Sequence, residues 1–144
     1  MNTDAVRSVI GFDFGLKRIG LATGQTITGT ASPLVTLQAV NQSPDWNGIE
    51  AQIRQWNPDA LIVGIPFLLD GGETDITRAA RNFSRELERR FKLPVYTIDE
   101  SLSSFEAEQQ LGQTKKIAEH NKHEIDKMAA AIIVQSWLDS RPDC

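Results

Sequence analysis

Val6-Arg7-Ser8-Val9-Ile10-Gly11-Phe12-Asp13-Phe14-Gly15-Leu16-Lys17-Arg18-Ile19-Gly20-Leu21-Ala22 decides the fold. Residues 6–12 are mostly apolar, the pattern of a largely buried strand, and the run stops at a carboxylate, Asp13. Gly15 and the basic pair Lys17-Arg18 make a tight turn, and Ile19-Gly20-Leu21-Ala22 starts a return strand. The segment therefore reads as an antiparallel hairpin with an acid at its bend.

Outward from the hairpin, a third strand is expected around 31–36, after the turn-rich residues 25–30. Pro44-Asp45 opens a helix on which Trp46, Ile49, Ile53 and Trp56 share an apolar face, so both tryptophans are expected in the core; Asn57-Pro58 ends it. Ala60-Leu61-Ile62-Val63-Gly64-Ile65 is a continuous apolar run, the mark of a parallel strand covered on both faces. Thr74 caps a long helix to about Phe91, and Pro94 to Ile98 forms another buried strand. A short helix over 104–111 and a polar stretch over 112–120 precede a last helix, which runs from the capping-box spacing Asn121-x-x-Glu124 to about Asp139. Its run Met128 to Val134 is apolar nearly all round, predicting burial against the sheet.

This order predicts an α/β fold: a mixed five-stranded sheet, an antiparallel meander extended by parallel strands, with helices on its faces in three layers. No internal repeat interrupts it, so one domain is expected over residues 1–144, with loose tails at 1–5 and 140–144. The chain carries 15 Lys+Arg against 19 Asp+Glu, a net charge of −4, which argues against coating nucleic acid by bulk electrostatics but leaves local basic clusters available. Cys144 is the only cysteine, which excludes a disulfide framework and a cysteine metal site. There is no signal-peptide profile, and the longest apolar stretch is too short for a bilayer, so a cytoplasmic protein without membrane partners is expected.

Ligands of such sheets sit outside the carboxyl ends of the parallel strands. Asp13 and Glu100 fall at those ends, and Asp126 opens the Ala-rich last helix, whose small residues allow close approach. Each acid has an ordinary account by itself: a turn residue, a helix cap, and a helix N-terminal charge worth only ~0.3–1 kcal/mol. Brought into one crevice, however, like charges raise one another's pKa, and a divalent cation relieves them. With all-oxygen donors and no zinc-like Cys or His spacing, Mg²⁺ or Mn²⁺ is the cofactor expected, as two ions ~3.5–4 Å apart across a phosphodiester. Asp13, Glu100 and Asp126 are the candidate catalytic and metal-binding residues. Asp99 and Glu100 point to opposite faces of an extended chain; we favour Glu100 inward and Asp99 as support or cap, although the pattern alone permits either.

Lys17, Arg18, Lys115, Lys116 and Lys122 are the candidate nucleic-acid-binding residues, being basic and close in sequence to Asp13 or Asp126. Arg78, Arg81, Arg85 and Arg89 share one helix face and read as a solvated surface, with Glu86–Arg90 and Glu88–Lys92 at pairing distance. His120 and His123 read as solvated imidazoles.

Gly11-Phe12-Asp13-Phe14-Gly15-Leu16-Lys17-Arg18-Ile19-Gly20-Leu21-Ala22, Val63-Gly64-Ile65-Pro66 with Asp70-Gly71, Asp99-Glu100-Ser101-Leu102-Ser103-Ser104 with Glu106-Ala107, and Ile125-Asp126 with Ala129-Ala130 together resemble the four motifs of the YqgF (RuvX-like) family of the ribonuclease H-like superfamily. The resemblance runs from about Val9 to Leu138. It implies a ribonuclease H-like fold and a metal-dependent nuclease, with Asp13, Glu100 and Asp126 as the metal-binding acids. The family is associated with maturing the 5′ end of precursor 16S ribosomal RNA, and also with resolving Holliday junctions. Two positions depart from its pattern: Ser101 stands where an Arg is common after the Asp-Glu pair, and Leu68 where an Asn is often found. Lys127, beside Asp126, offers a charge in partial compensation.

The expected partners are precursor rRNA, with branched DNA as the alternative, and ribosomal particles, for a monomer or a homodimer. Cleavage of a DNA junction favours a homodimer, because the junction is a two-fold object. A non-catalytic ribosome-assembly factor is the competing class. An actin-like nucleotide-binding fold shares the Asp-x-Gly hairpin, but it requires a second such hairpin, which this chain lacks.

Overall fold

The computed structural model describes residues 6–68, 70–102 and 122–140. The hairpin forms as read, from β1 (Ser8–Asp13) and β2 (Arg18–Gln25), and β3 (Thr30–Gln38) completes the meander. Helix α1 (Trp46–Trp56) leads to β4 (Ala60–Leu68), α2 (Asp75–Phe91) to β5 (Val95–Leu102), and α3 (Lys122–Ser140) closes the described chain. The sheet order is β3-β2-β1-β4-β5, with β1 parallel to β4, β4 parallel to β5, and antiparallel pairing on the β2 and β3 side.

Local chemistry sets the ends of the helices. Asp45 caps α1 by accepting from the Gly48 N–H, and left-handed Asn57 (φ 47°) stops it. Thr74 and Thr77 form a reciprocal capping box at the start of α2, and left-handed Lys92 (φ 56°) ends it by donating its N–H to the Glu88 carbonyl. Buried Thr77 also donates its hydroxyl to the Pro66 carbonyl, tying the first turn of α2 to the outgoing end of β4.

Strand alternation splits the core in two. One face carries Ile10, Phe12, Ile19, Leu21, Leu61 and Val63 against Ile49 and Ile53 of α1 and Ala80, Phe83 and Leu87 of α2. The other face carries Val9, Ala22, Ala60 and Ile62 against Ala130, Ile133, Val134 and Trp137 of α3.

Three expectations are corrected. Trp56, the last residue of α1, is 42% exposed, whereas Trp46 stacks on Phe83 with ring centroids 5.5 Å apart. Helix α3 is buried on one side only: Ile125, Met128 and Ile132 face outward because the helix lies on a single sheet face. Strand β5 continues past Ile98 to Leu102, so Glu100 lies within a strand, paired with Pro66, rather than in the loop after it. The helix expected at 104–111, the capping residue Asn121, His120, and the candidates Lys115 and Lys116 lie outside the described residues, as do the side chains of Lys122, His123 and Ser101.

Candidate active site at the strand ends

Alternation places the site on the α3 face. Asp13 follows Val9 and Gly11 on that side of β1; Glu100 follows Tyr96 and Ile98 on that side of β5; Arg18 precedes Gly20 and Ala22 on that side of β2. Asp99 points the other way and is exposed, so Glu100 is the inward member of the pair. Phe12 and Phe14, on either side of Asp13, both pack on Phe83 (centroids 5.5 and 4.9 Å), which pins the carboxylate's backbone from the opposite layer.

Asp126 reaches the same place because α3 sits unusually close to the sheet. A Cβ on Gly20 would stand 2.0 Å from the Asp126 carbonyl oxygen, and one on Gly11 would stand 2.1 Å from a Val134 methyl. Gly64 does the same for the third acid: a Cβ there would lie 3.3 Å from Glu100 Oε2. The close approach was expected from alanines on the helix, but the decisive residues are glycines on the strands. Their trace in the sequence is a glycine inside a strand pattern, the usual mark of close backbone approach.

The outcome is a gathering of negative charge with little to offset it. Burial pushes the Asp13 carboxyl from 3.8 up to about 7, and the charges of Glu100 and then Asp126 add to the shift. Burial also raises Glu100. Neither makes a hydrogen bond or ion pair with another described residue, whereas Asp126 accepts from Arg18 Nε at 2.7 Å. That pair spans 108 residues and was invisible in the sequence. Asp13, Lys17, Arg18, Ile76 and Asp126 line an open cleft of about 300 Å³. Glu100 lies off its wall, against Gly64, yet near enough for its charge to act on Asp13.

By donor chemistry the acids suit a hard divalent cation, since two half-buried carboxylates here lack any described protein partner. As they stand, no three acidic or histidine side chains among the described residues are close enough together to hold one ion. Asp126 is the member held elsewhere, by Arg18. The α2 arginines pair with acids near them rather than face the cleft: Arg78 with Asp75, Arg81 with Glu73 (3.1 Å), and Arg89 and Arg90 with Glu86 (Arg90 at 2.8 Å), while Arg90 also lies over the Trp46 ring and Arg81 over Phe67. The pairing holds Glu73 and Glu86 below the usual carboxylate range, chiefly through hydrogen bonds from Arg81 and Arg89.

A five-stranded mixed sheet with acids converging beneath a final helix defines a ribonuclease H-like α/β protein, and solved structures agree. Thermus thermophilus RuvC bound to a Holliday junction aligns with a TM-score of 0.51 at 18% identity, over 94% of this chain and 95% of that one. Fowlpox virus Holliday junction resolvase gives 0.52 at 15% identity, over 92% and 98%. The chain belongs to the RuvX family, whose description, "RuvX: Holliday junction resolvase", matches residues 7–140. A Pseudomonas fluorescens (strain Pf-5) protein described as "Putative pre-16S rRNA nuclease" is 46% identical over 136 residues, 94% of each chain. A Legionella pneumophila (strain Paris) protein with the same description is 49% identical over 129 residues, 90% of this chain and 93% of that one.

Proposed function

We propose that this chain is a nuclease that hydrolyses phosphodiester bonds of precursor 16S rRNA at its 5′ end, in the cytoplasm, using Asp13, Glu100 and Asp126 with Mg²⁺ or Mn²⁺. One observation carries the reading: half-buried Asp13, which has no partner among the described residues, lies near enough to Glu100 and Asp126 to feel their charge, on a cleft whose wall also holds Lys17 and Arg18. The descriptions of the Pseudomonas and Legionella relatives support the substrate. When bound, the ions would supply a reactive water at neutral pH and charge stabilisation at the leaving oxygen.

The residues divide the remaining work. Asp13 and Glu100 are held by strands, so their carboxylates are pre-positioned and need little reorganisation. Exposed Lys17 and half-buried Arg18 line the same cleft as Asp13, where they would meet a substrate backbone and offset its charge locally in an otherwise acidic protein. No helix among the described residues is long and apolar enough to cross a membrane.

The family description favours one alternative, cleavage of a four-way DNA junction, a two-fold object that would suit a homodimer. Precursor rRNA ends, generic RNA and four-way junctions offered side by side with Mg²⁺ and Mn²⁺ separate the two. Preferential cleavage of the rRNA end is expected, and Asp13→Asn should reduce it by about 10²–10³-fold or more, the scale of losing one electrostatic stabiliser at a reacting centre. Activity retained by Asp13→Asn would refute the assigned site. No cleavage by the parent with any metal would favour a non-catalytic role in ribosome assembly.

A further inference from the structure

The Arg18–Asp126 pair opposes the metal-ion reading, and its geometry shows how both can hold. Arg18 Nε lies 2.7 Å from Asp126 Oδ2, with the two side chains 26% and 22% exposed. Asp126 thus has a cation of its own, whereas Asp13 and Glu100 have none among the described residues. A guanidinium keeps its charge at every physiological pH, so this cation leaves only by moving, never by deprotonating. Arg18 opens β2 directly beside the turn carrying Lys17, and both residues line the cleft with Asp13. A short swing takes its head group from Asp126 to any anion entering that cleft.

We propose that Arg18 is a resident counter-ion that a divalent cation displaces from Asp126, and that the released guanidinium then binds a phosphate of the nucleic acid. The inference rests on the nuclease reading for Asp126 as a metal ligand. A divalent ion and a guanidinium on one carboxylate repel each other strongly at ~4 Å in a half-buried site, so arrival of the ion weakens the pair. A phosphate beside Lys17 gives the guanidinium a new partner. Ion and substrate therefore favour each other's binding, and by linkage the coupling is mutual. Substrate-free protein binds ions weakly, and the acid cluster is completed only when there is something to cut.

The test needs no turnover. Mn²⁺ is titrated into wild type, Arg18→Ala and Arg18→Lys without nucleic acid, and free Mn²⁺ is followed by electron paramagnetic resonance. Arg18→Ala is expected to bind Mn²⁺ about three- to tenfold more tightly, the scale of losing one partly exposed ion pair, with Arg18→Lys between the two. A purely structural role, in which Arg18 holds α3 in place, would give the opposite sign. Unchanged or weaker binding overturns the exchange and leaves the nuclease reading intact, whereas no Mn²⁺ binding by any of the three proteins overturns both. Should Arg18→Ala fail to fold, wild type decides through its Arg18 Nε–Hε resonance. That signal should lose its protection on saturation with Mg²⁺, and its persistence unchanged overturns the proposal.

Discussion

The two faces of the sheet are built on different principles. Toward α1 and α2 the strands present large side chains, and Phe12, Phe83, Leu87 and Ile49 interlock in a thick apolar layer. Toward α3 the strands present Gly11, Gly20, Gly24 and Gly64 with Ala22 and Ala60, so the helix backbone almost touches the sheet. The first face supplies area removed from water, the dominant favourable term in folding. The second sacrifices that area to bring three acids from β1, β5 and α3 together. One face holds the protein together; the other holds the candidate site.

Substitutions on the two faces should therefore fail differently. The largest expected effect is on stability: Leu87→Ala, at a fully buried position on the α1/α2 face, should cost about 2–5 kcal/mol in denaturant unfolding and leave cleavage per folded molecule unchanged. A large loss of activity in the folded fraction would break the division of labour. Gly20→Ala on the other face drives a methyl into the Asp126 carbonyl and must lift the start of α3. It should lower cleavage about 10²-fold, the usual result of misplacing a catalytic group by ~1 Å, at a smaller cost of ~1–3 kcal/mol in stability.

The third prediction concerns pH. The folded-state pKa of Asp13 is raised from 3.8 to about 7, so its contribution to metal-free stability is fully present below pH ~4 and is lost as pH rises through about 7. Asp13→Asn should therefore stabilise the metal-free protein at pH 8 by ~1–3 kcal/mol, with the gain disappearing near pH 4. Thermal melts at both pH values check the sign; equal gains at both would mean that the charge of Asp13 is not the cause. Mg²⁺ should raise the pH 8 melting temperature of wild type more than that of the variant. Smallest of all, Arg78→Ala on the solvated face of α2 should change stability by no more than ~0.5 kcal/mol.

Much of this division was legible in the chain. A mostly apolar run marked β1 and a continuous one β4, and capping chemistry at Asp45 and Thr74 located the starts of α1 and α2, because these signals are local. The end of β5 was misplaced by four residues because Asp99-Glu100-Ser101 looks like loop chemistry. Pairing with Ile65, Pro66 and Phe67 of β4 keeps it extended, and that pairing is not local. Trp56 shares the period of Ile49 and Ile53, but periodicity does not show where a helix outruns its neighbours.

By itself the sequence determined the order of the described elements and the α/β class, and it named three candidate acids, since propensity, apolar period and carboxylate position are carried by neighbouring residues. Only the tertiary structure decided that Glu100 rather than Asp99 faces inward, that burial outweighs charge in raising Asp13, and that Arg18 already holds Asp126. Those outcomes depend on sheet register and on how closely α3 descends onto four strand glycines, and both arise from contacts between residues far apart in the chain.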